Sequence, residues 1–301
     1  DVNLYEDAFH DCFRVENSKR FIMSNCLIQG APVQAVNFLY GCTDSKIIGN
    51  TIFDSGRKQR INSGTGVSIG GAILVYNSAK IIISNNIVNR SWSSCLYYYG
   101  DITDQPLISD NPEGGVISDN IFYYSQSNGI RTQDDNYPAS DGARNFSITG
   151  NVVVDCARTC IRPNGINNSV TGNTCSYTGN EIFGVLNLTP DGIASNHCKD
   201  GVWSDNSIDN VGAAIFLIPN GIADYGCENM IISNIKAKDC SYLIARAGDT
   251  SSAVNNINVN NCQSENPKNT HIQMFNCGKL YFSGVELVGK SAAFPTLPAF
   301  R

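Results

Sequence analysis

Short β-branched runs bounded by Gly, Asn, Asp or Ser recur along this chain, and no segment shows a sustained helical period of apolar residues. The stretch "NFSITGNVVVDC" (145–156) contains the unit: Ile148-Thr149-Gly150-Asn151-Val152-Val153. Aligned on Asn151, related phrases sit at Asn25, Asn50, Asn86, Asn120, Asn173, Asn206, Asn234 and Asn261, and Gly284 closes the series. The marked positions are 22 to 36 residues apart, the spacing of a solenoid with loops of variable length. Short β-branched runs between turn formers predict strands. Leucine-rich repeats would need leucines at fixed offsets, and propeller blades would need Trp-Asp signals. The expectation is an all-β, right-handed parallel β-helix of about ten coils. The recurring Asn should hold a bend and form an amide ladder from coil to coil.

A second strand follows each phrase. Examples are Cys95-Leu96-Tyr97-Tyr98, Gly129-Ile130-Arg131-Thr132, Cys160-Ile161-Arg162-Pro163, Glu181-Ile182-Phe183-Gly184 and Tyr242-Leu243-Ile244-Ala245. The second residue is always aliphatic and should point inward, so alternation puts the third outside. In coil order the outer column reads Asn37, Leu74, Tyr97, Arg131, Arg162, Phe183, Phe216, Ile244 and Gln273. Two residues further on stand Leu39, Tyr76, Tyr99, Gln133, Asn164, Val185 and Ile218. Aromatic faces pack on the apolar faces of sugar rings, while Arg, Asn and Gln read hydroxyls or carboxylates. A long regular strip of these suits a long regular polymer. Tyr97, Tyr99, Arg131, Gln133, Arg162, Asn164 and Phe183 are therefore the expected binding residues. The competing reading is that loops or another subunit cover the Phe and Ile end.

Carboxylates gather beside the strip. Tyr99 runs into Gly100-Asp101 and Gln133 into Asp134-Asp135, so Asp101 and Asp135 should be equivalent positions on successive coils. Two acids that close repel, and one then holds its proton more tightly, which supplies an acid and a base from one pair. Glu181 opens its strand one coil past Arg162. Asp134, Asp135, Asp101 and Glu181 are the candidate catalytic groups. The two longest polar inserts, "GDITDQPLISDNPEGG" and "DDNYPASDGARN", leave from the same rim. Asp101, Asp104 and Asp134 offer hard oxygen ligands to calcium, but no compact calcium-loop pattern accompanies them. Three scattered histidines and the lack of a Cys-x-x-Cys pair argue against zinc. No metal or other cofactor is expected.

Composition sets outer bounds. The 301 residues are 42% hydrophobic and only 16% charged, and the phrases run without a linker. One β-helix domain is expected over 1–290, with an extended arm over 291–301. A net charge of −6 argues against a general nucleic-acid surface. No apolar run reaches the roughly 18 residues of a membrane span, so membrane insertion is not expected. The twelve cysteines are read mostly as reduced core fillers. The first residue is Asp and neither end carries an obvious polar cap, so we expect a piece of a longer chain or an oligomer whose partners cap the coils.

The "I-x-G-N-x-I" coils, their variable length and the single-Asn bends resemble the right-handed β-helices of pectate-lyase type, over about residues 20–290. Among these the chain is most similar to the central domain of bacteriophage tailspikes, which depolymerise bacterial surface polysaccharides. That resemblance implies a homotrimer, a virion tail location (host cytoplasm during assembly, extracellular in action) and a capsule, exopolysaccharide or O-antigen as partner. It carries over no catalytic residue, since tailspikes share no catalytic motif. Endo-glycoside hydrolysis is the leading reading, with one carboxylic acid protonating the leaving oxygen and a second activating water or attacking. Arg131 and Arg162 would orient the sugar. A polysaccharide lyase using Arg131 or Arg162, and a non-catalytic adhesin, are the alternatives on the same scaffold.

Overall fold

The computed structural model describes residues 11–39, 41–56, 71–100, 113–134, 143–179, 190–195, 197–218, 226–246, 254–274 and 277–289. Among them there is no helix, and every strand pairing is parallel. Three sheets carry the chain. Sheet A has ten strands, from Phe13–Glu16 to Ile272–Gln273; sheet B has twelve, including Ile22–Ser24 and Leu280–Ser283; sheet C has ten, from Leu27–Gln29 to Glu286–Val288. Successive coils visit the sheets in turn, so each strand pairs with its equivalent one coil away. This is a parallel β-helix.

The inward positions explain the stacking. In sheet A, Val36, Ile73, Leu96, Ile130, Ile161, Ile193, Ile215, Ile244 and Ile272 lie in register, all buried. Sheet B contributes Met23, Ile47, Ile83, Ile117, Ile148, Val170, Trp203 and Ile232 to the same core. Shifting any strand by one residue would turn its aliphatic side chain to solvent, so burial of these columns fixes the register.

The corner between sheets B and C holds the expected amide ladder. Six buried asparagines, Asn50, Asn86, Asn120, Asn151, Asn173 and Asn206, pass side-chain hydrogen bonds along the axis. The Oδ1 of Asn120 accepts from the backbone N–H of Asn86 at 2.9 Å and from its Nδ2 at 2.9 Å. Its own Nδ2 donates to the carbonyl of Ile83 at 2.9 Å and to Oδ1 of Asn151 at 2.9 Å. Each ladder residue thus satisfies backbone groups that the bend takes out of the sheets.

The ends of the ladder differ from the sequence reading. Register puts Asn25 opposite Gly49 and Cys26 opposite Asn50, because Ser24 pairs with Ile48. Likewise Ser204 pairs with Ser233 and Ser233 with Asn260, so Asn234 and Asn261 align with Asp205. Asn25, Asn234 and Asn261 occupy the residue before the ladder, with φ of 55°, 53° and 50°. Gly284, at φ 61°, continues that column. This left-handed position is what Gly, Asn and Asp tolerate best, so an Asn there performs a different task from its neighbour in the ladder. The ladder's places at the ends are taken by Cys26, Ile235, Cys262 and Val285.

All twelve cysteines are free thiols. Cys156, Cys160 and Cys175 touch inside the coil, fully buried. Burial and the adjacent Cys160 push Cys156 up, and the Cys160 hydrogen bond together with burial raises Cys175. Hydrogen bonds from Cys156 and Cys175 favour the charged form of Cys160, against its own burial.

Candidate functional site

The outer face of sheet A brings the predicted strip together. Asn37, Leu74, Tyr97, Arg131 and Arg162 stand on successive strands in register. Tyr76, Tyr99 and Gln133 form the parallel column two residues further along. The alternation that buries Leu96, Ile130 and Ile161 produces this face, as each of those residues precedes an outward one.

The rings and guanidinium make one continuous stack. Tyr76 and Tyr99 lie with centroids 4.4 Å apart and planes tilted by 30°. Tyr99 and Tyr97, on the same strand, stack at 4.4 Å and 13°. The Arg131 guanidinium sits over the Tyr97 ring, 4.4 Å from its centroid. Such ring pairs contribute about 0.5–1.5 kcal/mol each beyond area burial, and cation–π contacts a similar amount. Tyr97 is only 2% exposed and Tyr76 5%, whereas Tyr99, Arg131 and Arg162 are partly open. Tyr76 and Tyr97 are therefore buried supports, and Tyr99, which stacks with both, stays partly open at the surface.

Two predicted positions on this wall are placed differently. The strand that follows Thr159–Pro163 in sheet A is Asp191–Ser195, with Ile193 beside Ile161. Glu181-Ile182-Phe183-Gly184 is not that strand, and Glu181 and Phe183 lie outside the described residues. The sequence signal misled because Pro190-Asp191-Gly192 has turn composition. Here it leads into a strand whose outer residue is the small, fully buried Ala194. Ile244 is also an inner residue, 1% exposed and paired with Ile215, so Ala245 takes the outer position beside Phe216. The shift arises at the corner, where the residue before the aliphatic column also faces the core. A Cβ on Gly129 would meet the Cγ1 of Val153 at 2.2 Å, and Leu243 fills the equivalent place.

Asn164 sits where sheet A gives way to sheet B. Its Oδ1 accepts from the Ser195 hydroxyl at 2.9 Å, its N–H donates to Thr132, and it is 8% exposed. Its amide oxygen thus serves the corner. At the same edge Gly100 pairs with Asp134. Asp101, Asp104 and Asp135 lie outside the described residues. Among the described residues no group of His, Cys, Asp and Glu is arranged to hold a metal ion.

One carboxyl escaped the sequence reading. Asp191 opens its strand opposite Thr159 and accepts from the N–H of Ala213 at 3.0 Å. Burial pushes it up to about 6, with a smaller contribution from nearby Cys160, against that hydrogen bond. It cannot partner Asp134. Thr159 lies four residues before Pro163, Pro163 pairs with Thr132, and Asp134 lies two beyond Thr132. At roughly 3.3 Å per residue that places the two about 20 Å apart along the strands. Paired glycosidase carboxyls stand only about 5–9.5 Å apart.

No family model matches the sequence, and no curated protein sequence matches it significantly. Solved structures do. The lacto-N-biosidase of Eubacterium ramulus, from family GH136, aligns with a TM-score of 0.56 and 12% identity over 89% of this chain and 50% of its own. The tailspike of E. coli bacteriophage HK620, solved with a pentasaccharide, gives 0.52 and 9% over 92% of this chain and 53% of its own. The surface adhesin PfbA of Streptococcus pneumoniae gives 0.50 and 11% over 93% of this chain and 81% of its own. The chain thus spans about half the length of the enzyme and the tailspike. At these identities the likeness establishes the fold: the chain is a right-handed parallel β-helix.

Proposed function

We propose that this chain is a carbohydrate-active β-helix, of tailspike type, that binds a bacterial surface polysaccharide along sheet A and cleaves it by endo-acting glycoside hydrolysis. The observation that carries the reading is the stack of Tyr76, Tyr99, Tyr97 and Arg131, continued in register by Arg162. Flat rings and forked donors repeated at coil spacing match the repeat of a sugar polymer better than that of a compact ligand. The glycosidase and the oligosaccharide-bound tailspike of like fold support it. Assembly as a homotrimer on a virion tail belongs to the same proposal.

For the chemistry, the pairing of Gly100 with Asp134 gives the frame. Asp101 follows Gly100 and Asp135 follows Asp134 in the sequence, which makes them the leading candidates for an acid and base pair. A pair of carboxyls about 5–5.5 Å apart would serve a retaining enzyme, with mutual repulsion keeping one protonated as the acid. Asp134 and Glu181 complete the candidate set.

Incubation with purified capsule, exopolysaccharide and O-antigen, followed by reducing-end assay and mass spectrometry, tests the proposal. Oligosaccharides of one repeat length, or multiples of it, are expected. Unsaturated ends absorbing in the near ultraviolet would instead indicate a lyase. Polymer that binds and stays at full length would make the protein an adhesin, a reading favoured by PfbA, of which this chain covers the larger share. Tyr99→Ala should weaken binding of the product oligosaccharide about ten-fold, the worth of one stacked ring. Its thermal midpoint should also fall by a few degrees, because the contacts with Tyr76 and Tyr97, about 0.5–1.5 kcal/mol each, go with the ring. Calorimetric titration of variant and parent provides the comparison.

A further inference from the structure

We infer that sheet C of this chain packs against sheet B of a neighbouring copy, the two standing side by side with their helix axes parallel. This rests on the homotrimer reading above for the number of copies and adds the faces that meet. Sheets B and C adjoin at the ladder corner, and their outer columns in the first five coils share one character. On sheet B, Ile22, Ile48, Ile82 and Val116 point outward. On sheet C the outward residues include Leu27, Phe53, Ile87, Ile121, Val152 and Val154. These apolar positions come at the same heights, since Ile22 and Leu27, Ile82 and Ile87, and Val116 and Ile121 each belong to one coil. Ile22 is 61% exposed, Leu27 58%, Ile87 38% and Phe53 36%. In these outer columns over the five coils Lys46 alone is charged, with Asp119 on the corner and Asp54 and Arg90 past the far edge of sheet C. Water does not call for such a face. The same columns of sheet C turn charged further up, at Asp209, Lys236, Lys238, Glu265 and Glu286, so the fold accepts polar side chains there. A contiguous exposed apolar face marks an interaction surface.

A second copy fits this face, and the charges fix how it stands. Sheet C against sheet C with parallel axes puts Lys236 at the height of the neighbour's Lys238, a like-charge contact. With antiparallel axes in full overlap, the charged coils of one wall bury against the apolar coils of the other, which leaves charges without partners. Sheet B against sheet C with parallel axes avoids both. Apolar coils then meet apolar coils, and the charged part of sheet C meets the uncharged Ser204, Ser233 and Asn260. There Asp209, Lys238 and Glu265 already alternate in sign along one column. Area agrees with an occupant as tall as the wall itself. Ten strands about 4.8 Å apart make a wall about 48 Å tall, and three residues make it about 10 Å wide. A copy in a closed ring covers both walls, on the order of 1,000 Å² of flat surface, against about 800 Å² per partner in a stable pair. A contact that runs from sheet B of one copy to sheet C of the next is of the kind that closes into rings. Sheet A, with Tyr99, Arg131 and Arg162, then faces outward for the polymer.

The test uses the full 301-residue chain. Sedimentation equilibrium across a dilution series should show a closed species of three copies. Ile87→Lys on sheet C should weaken association at least about thirty-fold, the effect of an unpaired charge buried in an interface, and Ile82→Glu on sheet B should do the same. Leu27→Lys and Ile22→Glu repeat the pair at the most exposed positions, where the fold of the single chain is not at stake. Circular dichroism should report the parent's strand content in all four. The double variant Ile82→Glu/Ile87→Lys should recover the three-copy species, because opposite charges then meet across every interface. Single variants that assemble as the parent does overturn the inference and leave the homotrimer to another face. Dissociation of the single variants with no recovery in the double overturns the pairing of sheet B with sheet C. A parent chain that stays monomeric at every concentration removes the inference together with the homotrimer reading, and polysaccharide binding by that monomer leaves the groove standing.

Discussion

Asn120→Ala should lose about 3–5 kcal/mol of folding stability, measured by denaturant unfolding, because it breaks the amide ladder in its middle. The substitution removes four hydrogen bonds at once. Alanine cannot replace any of them, and the site is fully buried, so water does not compensate. Groups left without a partner are the backbone N–H of Asn86 and the carbonyl of Ile83, while Oδ1 of Asn151 keeps the backbone N–H of residue 120 at 3.1 Å. Each such group costs about 1–3 kcal/mol. Asn86 keeps part of its bonding, since its Nδ2 also donates to Ile47 at 2.9 Å and Ser84 at 3.0 Å. The loss is large against the roughly 5–15 kcal/mol that holds a typical domain. Asn234→Ala is the control. Its amide donates to Asp205 at an exposed corner, so the change should cost only about 1 kcal/mol, from the left-handed backbone and one surface bond. An Asn120→Ala protein within about 1 kcal/mol of the parent would mean that the ladder does not hold the coils together.

The second large effect concerns chemistry. Among Asp101, Asp134, Asp135 and Glu181, changed one at a time to the amide, at least one variant should lose about a thousand-fold in polymer cleavage while binding is kept. A positioned acid or base contributes on the order of 10²–10⁴-fold, and an amide of the same shape can neither protonate a leaving oxygen nor take a proton from water. If Asp101 and Asp135 form the pair, loss should follow both, and the pH profile should narrow to a single limb in each variant. Cleavage that stays within about ten-fold of the parent in all four would end the hydrolase proposal at this rim. Asp191→Asn should leave cleavage intact, since its distance along the strands rules it out as partner to Asp134.

Particular residues show how much could be read beforehand. The vertical alignment of Tyr97, Arg131 and Arg162 followed from one local fact, an aliphatic residue before each, and the pairings reproduce it. The ladder from Asn50 to Asn206 was legible for the same reason. Where it failed, at Asn25, Asn234 and Asn261, two adjacent positions both accept Asn, one for its amide and one for its left-handed backbone. Letters alone do not separate these uses. Ile244 was misplaced because the coil turns a corner there, and strict alternation does not survive a corner; the strand after Thr159–Pro163 was missed because Pro190-Asp191-Gly192 reads as a turn.

The chain's local pattern decided that it would wind into rungs. Each inward aliphatic residue has to leave water, and each bend has to accept a left-handed backbone, whatever lies elsewhere in the molecule. Only the folded molecule decided which side chains remain open on the wall. Tyr97 became buried and Tyr99 stayed partly open, although each stacks against a group from another coil, and such coverage depends on groups distant in sequence.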